Sequence, residues 1–255
     1  MTAHPYFDKS GSFAALAHRG FSLDGLENSM LAFQAAVDMG YRYVETDAHG
    51  TADGVAVALH DESLDRTTDG KGFVADLPWA RVKLARIGGK EPVPMLEDIL
   101  GTWPTLRVNI DVKAESGIVP IADAIEKTGA HDRVCIASFS TARRAATVAR
   151  LSRPVATSAG TREAAAFFVG GLAGANVAGA LRSVDALQIP TSAGPVALLT
   201  ERHLSAAHAA GKLVHVWTIN DPEQMARLLD LGVDGMVTDR ADLLKELLVS
   251  RGKWE

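Results

Sequence analysis

The sequence predicts an α/β fold, a (β/α)8 TIM barrel formed by residues 1–255 as a single domain. Three observations lead there. Short apolar runs of strand character alternate with stretches of helical periodicity, and eight such strands can be placed. The length of 255 residues is typical of that barrel. Polar residues and one tryptophan stand at the ends of the runs, at His18, Glu45, Asp47, Asp111, Lys113, Ser138, Trp217 and Asp239. Barrels of this kind build their active sites at the C-terminal ends of their strands. A doubly wound open sheet is the runner-up.

The first strand is expected over residues 13–18 and the first helix over 29–39, with Asn28 as its cap. A second strand falls at 42–47. A further apolar run, 55–59, then ends in His60. Residues 61–104 break the rhythm: they are richer in Gly, Pro and charge and too long for a plain connection. They read as an insertion covering one side of the mouth and ending in a helix near 95–100. Strands follow at 106–112, 133–138, 154–157, 186–189, 213–218 and 235–238. Helices are expected at 117–128, 141–151, 163–172, 201–210, 222–231 and 241–248. Gly40, Gly129, Gly211 and Gly232 each follow a helix, where a left-handed residue is needed. Asn220-Asp221-Pro222 caps another helix with proline in its first turn. Within the Gly/Ala-rich stretch 158–182, Phe167 and Phe168 read as a packing pair.

Composition narrows the function. The net charge of −5 gives no basic stripe for nucleic acid. The single cysteine, Cys135, excludes an internal disulfide and reads as a buried strand thiol. The N-terminus lacks a basic start followed by an apolar core, and no apolar run is long enough for a transmembrane segment. The expected compartment is the cytoplasm.

Glu45 and Asp47 are two residues apart and share one face of a strand. Two adjacent carboxylates repel unless a cation or a proton intervenes. In a barrel mouth a hard divalent cation fits them; on an exposed edge they are merely solvated. Asn109, Asp111 and Lys113 share a face in the same way, as a third carboxylate beside a phosphate-binding lysine or as a self-satisfied ion pair. His18 and His60 suit general acid–base work, and Arg19 suits phosphate oxygens. Metal, arginine and lysine around one anion point to phosphoryl transfer. His49 continues the period from Glu45 and Asp47 and could line the same mouth, but a direct role is the lesser expectation. Trp217 can wall the carbon face of a small polyol. His131, His203, His208 and His215 read as structural or surface residues.

These phrases resemble the glycerophosphodiester phosphodiesterase family. They are Ala17-His18-Arg19-Gly20, Glu27-Asn28-Ser29, Glu45-Thr46-Asp47, Thr51-Ala52-Asp53-Gly54, His60-Asp61 and Leu64-Asp65-Arg66-Thr67-Thr68 with Gly70. Asn109-Ile110-Asp111-Val112-Lys113 and Val216-Trp217-Thr218-Ile219-Asn220 follow in family order. The resemblance implies a (β/α)8 barrel with a small insertion after the strand ending in His60. It implies a Mg²⁺ or Ca²⁺ ion on Glu45, Asp47 and Asp111, and His18 and His60 as the acid–base pair. Arg19 and Lys113 would bind the phosphate, and Trp217 would face the glycerol. The implied reaction cleaves a glycerophosphodiester into glycerol 3-phosphate and an alcohol such as choline or ethanolamine.

The sequence departs from the family pattern twice: Asp111 stands where Glu is usual, and Leu26 replaces a common proline. Two rivals remain. One is a lysophospholipase-D-like or sphingomyelinase-D-like enzyme on the same barrel, for which Phe73, Leu77 and Trp79 could line an acyl groove. The other is a non-catalytic phosphodiester-binding protein, whose signature would be loss of a histidine or a metal carboxylate. Head-group preference, the ion, the roles of the two histidines and the oligomeric state stay open.

Overall fold

The computed structural model describes residues 4–7, 12–172 and 177–254. Eight parallel strands run β1 (Ala14–His18), β2 (Tyr43–Gly50), β3 (Arg107–Val112), β4 (Val134–Ala137), β5 (Ala156–Thr157), β6 (Ala186–Ile189), β7 (Leu213–Val216) and β8 (Gly235–Thr238). Each is followed by one helix of the outer ring. These are α1 (Met30–Asp38), α2 (Leu96–Thr102), α3 (Ile118–Thr128), α4 (Thr141–Val148), α5 (Thr161–Leu172), α6 (Glu201–Ala209), α7 (Pro222–Leu231) and α8 (Ala241–Ser250). Hydrogen-bonded neighbours follow the order β5-β4-β3-β2-β1-β8-β7-β6. One parallel bridge, Ser158 to Ala186, links β5 to β6 and nearly closes the barrel.

Strand alternation sorts the side chains. Val44, Val108, Ile110, Ile136, Val216 and Met236 point outward and pack under Phe33, Leu96, Ile121, Met225 and Leu244. Leu16, Tyr43, Cys135, Ala156, Ala186 and Val237 point inward, and Tyr6 and Phe7 join them. The N-terminal segment is therefore a plug. Tyr6 is fully buried, meets Tyr43 edge-on at 5.4 Å, and accepts the Tyr43 hydroxyl on its carbonyl at 3.1 Å.

Above the plug lies a buried polar layer. Gln188 donates to Asn109 Oδ1 at 2.9 Å and lies beside His215 Nδ1. Burial pushes the His215 pKa down to about 4, so the ring is neutral. A Cβ on Gly235 would come within 2.7 Å of His215 Cδ2, so glycine alone leaves room for that ring.

The long segment after β2 divides in two. Leu59, Leu64, Val74, Val82, Ala85, Ile87 and Val93 form a satellite core with Leu26 and Val57. The helix expected near 95–100 is α2, whose Leu96, Ile99 and Leu100 belong to the barrel layer. Strand β2 runs three residues beyond its expected end because it pairs antiparallel with Ala56–Ala58. His60 accordingly stands two residues past that short strand rather than at its end. The cap of α1 is Ser29, whose hydroxyl accepts from Ala32 N, and not Asn28. Asp221 caps α7 with proline in the first turn, as expected. Strand β5 is shorter than expected, two residues only. Cys135 is buried, and Phe167 meets Phe168 edge-on at 5.2 Å. Residues 173–176 of the Gly/Ala-rich stretch lie outside the described residues. Among the described residues no helix is long and apolar enough to cross a membrane.

Candidate active site

The site is built around the turn that leaves β1. Arg19 (φ 57°) and Gly20 (φ 79°) are both left-handed. A Cβ on Gly20 would lie 2.5 Å from the Ala32 carbonyl carbon, so only glycine lets the chain pass so close to α1. Asn28 is also left-handed (φ 59°), and it and Arg19 are the non-glycine residues with positive φ among the described residues. Such strain costs on the order of 1–3 kcal/mol per residue and gathers at functional sites. Hydrogen bonds hold the turn: Arg19 N donates to Glu45 O at 3.0 Å, and Asn28 N to Arg19 O at 2.9 Å. The Asn28 side chain, buried, donates to Asp47 Oδ2 at 3.3 Å and accepts from Thr46 Oγ1 at 2.8 Å.

Two histidine–aspartate pairs face this cluster. His18 Nδ1 sits 2.6 Å from Asp239 Oδ1, which leaves Nε2 directed at Glu45 Oε2, 3.7 Å away. Asp239 is held in turn by Asn220 Nδ2 at 2.8 Å. Burial disfavours the charged His18 ring, but the Asp239 hydrogen bond and the Glu45 charge outweigh it and raise its pKa. His60 Nδ1 sits 2.7 Å from Asp61 Oδ1. Asp61 is gripped by Arg66 through Nε at 2.6 Å and Nη2 at 3.0 Å, which holds its carboxyl well below the usual range.

Between the pairs lie the carboxylates and cations. On adjacent rungs His18 faces Glu45, Glu45 faces Asn109, and Asp47 faces Asp111. Arg19 Nε approaches Asp47 Oδ2 at 3.0 Å, charge to charge, and its Nη1 donates to Glu27 Oε1 at 2.9 Å. Lys113 Nζ bridges Asp47 Oδ1 and Asp111 Oδ2, each at 3.3 Å. Burial acts to raise the pKa of Asp47, yet Lys113 and Arg19, with His60 and His18 behind them, lower it. Glu45 has no such grip, and burial and the Asp47 charge raise it. Burial likewise raises Asp111, against the pull of Lys113. A chain of ion pairs links the two histidines to this cluster: His18 lies against Glu45, and His60 reaches Asp47 through Asp61, Arg66, Glu27 and Arg19.

The residues fit a divalent cation in charge and donor type. Six carboxyl groups (Glu27, Glu45, Asp47, Asp61, Asp111, Asp239) meet four permanent cations (Arg19, Arg66, Lys113 and Arg143, whose charge acts on Asp111), so carboxyl groups outnumber the permanent cations. Glu45 and Asp47, with Asp111, are the hard oxygen donors that an added cation needs. Among the described residues no three His, Cys, Asp or Glu side chains stand close enough to hold one. Lys113 occupies the space between Asp47 and Asp111, so holding an ion there requires its ammonium to move aside.

The structure brings His18, His60, Arg19, Lys113, Glu45, Asp47 and Asp111 together. Trp217 lies one residue beyond β7, with its ring edge-on to Phe139 at 5.8 Å. His49 is buried, and its Nε2 lies 3.2 Å from His60 O, so it supports the His60 backbone instead of lining the mouth. Burial lowers its pKa and favours the neutral, donating form. Leu77 and Trp79 pack on the satellite core while Phe73 is exposed, so the three do not join as one groove. Sequence reasoning gives no role to Glu27, Asp61, Arg66 or Asp239. Asp239 does stand in the row of strand-end polar residues, and the other three lie inside the quoted phrases.

The family model for the glycerophosphoryl diester phosphodiesterase family matches residues 18–243. A Mycobacterium tuberculosis protein called "Probable glycerophosphodiester phosphodiesterase 2" is 44% identical over 252 residues, 98% of this chain and 96% of its own. A solved Oleispira antarctica phosphodiesterase in complex with the product sn-glycerol-3-phosphate superposes with TM-score 0.78 at 22% identity, covering 94% and 98% of the two chains. A glycerophosphodiester phosphodiesterase from Agrobacterium tumefaciens superposes with TM-score 0.75 at 22% identity, covering 93% and 99%. Fold and site together define a barrel phosphodiesterase. The chain belongs to the glycerophosphoryl diester phosphodiesterase family.

Proposed function

We propose that the protein hydrolyses glycerophosphodiesters, with water, to glycerol 3-phosphate and an alcohol, using His18 and His60 as its acid–base pair. The observation that carries this is the pair of His–Asp dyads tied into one ion-pair network, with Arg19 and Lys113 both on Asp47. In such a reaction the phosphoryl group gains little from covalent help, and positioning and charge stabilisation dominate. Arg19 offers a planar fork and Lys113 a point charge to the phosphate oxygens. The Asp239 and Asp61 carboxylates fix the ring tautomers through Nδ1, which leaves each Nε2 for proton transfer, that of His18 lying 3.7 Å from Glu45 Oε2. One histidine takes the proton of the nucleophile and the other gives a proton to the departing alcohol; water as nucleophile gives glycerol 3-phosphate directly, whereas the substrate's own glycerol hydroxyl first gives a cyclic phosphodiester that water then opens. Trp217 walls the carbon face of the glycerol.

Glu45, Asp47 and Asp111 would hold a divalent cation, Mg²⁺ or Ca²⁺. It would supply charge neutralisation at the phosphate and polarisation of the phosphoryl oxygen. Lys113, once withdrawn from Asp47 and Asp111, has its ammonium free for a phosphate oxygen.

His18→Ala and His60→Ala should each lower kcat for glycerophosphocholine by about 10²- to 10⁴-fold with the circular dichroism spectrum unchanged. Near-normal turnover in both variants would refute the assignment.

A further inference from the structure

The inference concerns the rim of the barrel mouth. Nine large apolar side chains are exposed among the described residues, and five of them, Leu23, Phe73, Leu84, Phe139 and Val196, lie in βα connections. All such connections emerge at the C-terminal face, where the site opens. The other four, Leu31, Val119, Val169 and Val249, are scattered over the outer helices. Leu84 is 63% exposed and Phe73 57%, both on the insertion that begins with His60, Asp61 and Arg66.

One stretch of the same insertion, bounded by Asp76 and Glu91, is locally basic. From residue 77 to residue 90 there are four cationic side chains, Arg81, Lys83, Arg86 and Lys90, and no carboxylate, in a chain of net charge −5. Arg81, Lys83 and Lys90 are exposed, and none of them makes an ion pair among the described residues. The local fold explains why they point outward. Val82, Ala85 and Ile87 are drawn into the satellite core, which leaves Arg81, Lys83 and Leu84 on the outer surface. Lys90 follows a left-handed Gly88-Gly89 turn at the tip of the hairpin pairing Arg86–Ile87 with Glu91–Pro92.

Unpaired cations flanking exposed apolar side chains are what an interfacial protein presents to an anionic bilayer. A protein partner with a basic-seeking surface would be matched by the cations alone and would leave Leu84 and Phe73 unexplained. We propose that the insertion docks the barrel mouth onto an anionic lipid surface, through Arg81, Lys83 and Lys90 with Leu84 and Phe73 entering the headgroup layer. Docking is a property of the surface and stands apart from the hydrolytic reading above.

The test is flotation of the purified full-length protein with vesicles of phosphatidylcholine alone, and of phosphatidylcholine mixed with phosphatidylglycerol, at low and high salt. The expected result is binding to the anionic vesicles only, weakened by salt. Each basic residue near an anionic surface contributes about fivefold in partition, so Arg81→Ala/Lys83→Ala should weaken binding by about 25-fold. Leu84→Ser should weaken it further, while Arg227→Ala on α7 should leave it unchanged. Turnover of soluble glycerophosphocholine serves as the folding control and should be unaffected in all three. Failure to bind anionic vesicles at low salt would overturn the proposal. So would equal binding to both vesicle types, or unchanged binding in Arg81→Ala/Lys83→Ala. Concentration-dependent dimerisation lost in the same variant would assign the face to a second copy of the chain, and would also overturn it.

Discussion

Asp239 and Asp61 do the same work for different histidines, but with different backing. Asp61 spends much of its charge on the Arg66 guanidinium, whereas Asp239 is held by the neutral Asn220 amide. The Asp239–His18 pair is therefore the less compensated one. His18 is raised above its ordinary value, so its stabilisation is fully present below the histidine range and is lost as pH rises through the raised value. Burial works against charge on Asp239, but the His18 and Asn220 hydrogen bonds lower it, so its contribution is lost as pH falls through that lowered value. The difference in unfolding free energy between the wild type and Asp239→Asn should form a plateau between those limits and shrink on both sides. Denaturant melts across pH check this, and a difference independent of pH would contradict it. The same variant should lose about 10²-fold in kcat with the pH–rate profile displaced to lower pH, because the ring loses its anionic partner. Residues of this kind are the ones sequence reasoning reaches least well. Asp239 and His18 are 221 positions apart, and only strand order β1–β8 brings them together. Asn28 shows the opposite failure. Its type and place suit a helix cap, yet Ser29 takes that role because the Asn28 amide is drawn into the site by Asp47 and Thr46.

At the scale of elements, the N-terminal plug and the β1 turn are the most exacting parts. Tyr6 fills the barrel floor against Phe7 and Tyr43, and no apolar periodicity announces it, because two residues form no repeat. Tyr6→Ala should lower stability by about 3–5 kcal/mol, as other large aromatic deletions do. Its hydroxyl is buried with no hydrogen-bond partner among the described residues, so Tyr6→Phe should be neutral or stabilising in the same urea titration. A large loss in Tyr6→Phe would show that the hydroxyl has a partner in solution. Gly20→Ala should cost more than about 2 kcal/mol, since the added Cβ meets the Ala32 backbone and the residue is left-handed. Many regular elements were legible because they carry their own signal: apolar runs at the strands, side-chain caps on α1, α4, α6 and α7, and a glycine after α1, α3, α6 and α7. The insertion was legible only as a break in that rhythm. Its satellite core, and the return of α2 to the barrel layer, depend on which apolar residues meet across loops.

For the whole molecule, the barrel turns a sequence-distant set of groups into one charged centre at its C-terminal mouth. Neighbouring strands β1, β2 and β3 supply His18, Glu45, Asp47 and Asp111, and β8 closes the ring with Asp239. The chemical types and the strand-end placement were readable from spacing, because a period of two fixes the face. The ion-pair pattern was not, since it depends on side-chain directions that spacing leaves free. That pattern, with more carboxyl groups than permanent cations, is what favours the proposed divalent cation on Glu45, Asp47 and Asp111. The most direct measurement is release of glycerol 3-phosphate from glycerophosphocholine and glycerophosphoethanolamine, first with EDTA and then with Mg²⁺ or Ca²⁺ restored. The account predicts release from both substrates, abolished by EDTA and recovered with one of the ions. Full release in EDTA, or none with either ion, would contradict it.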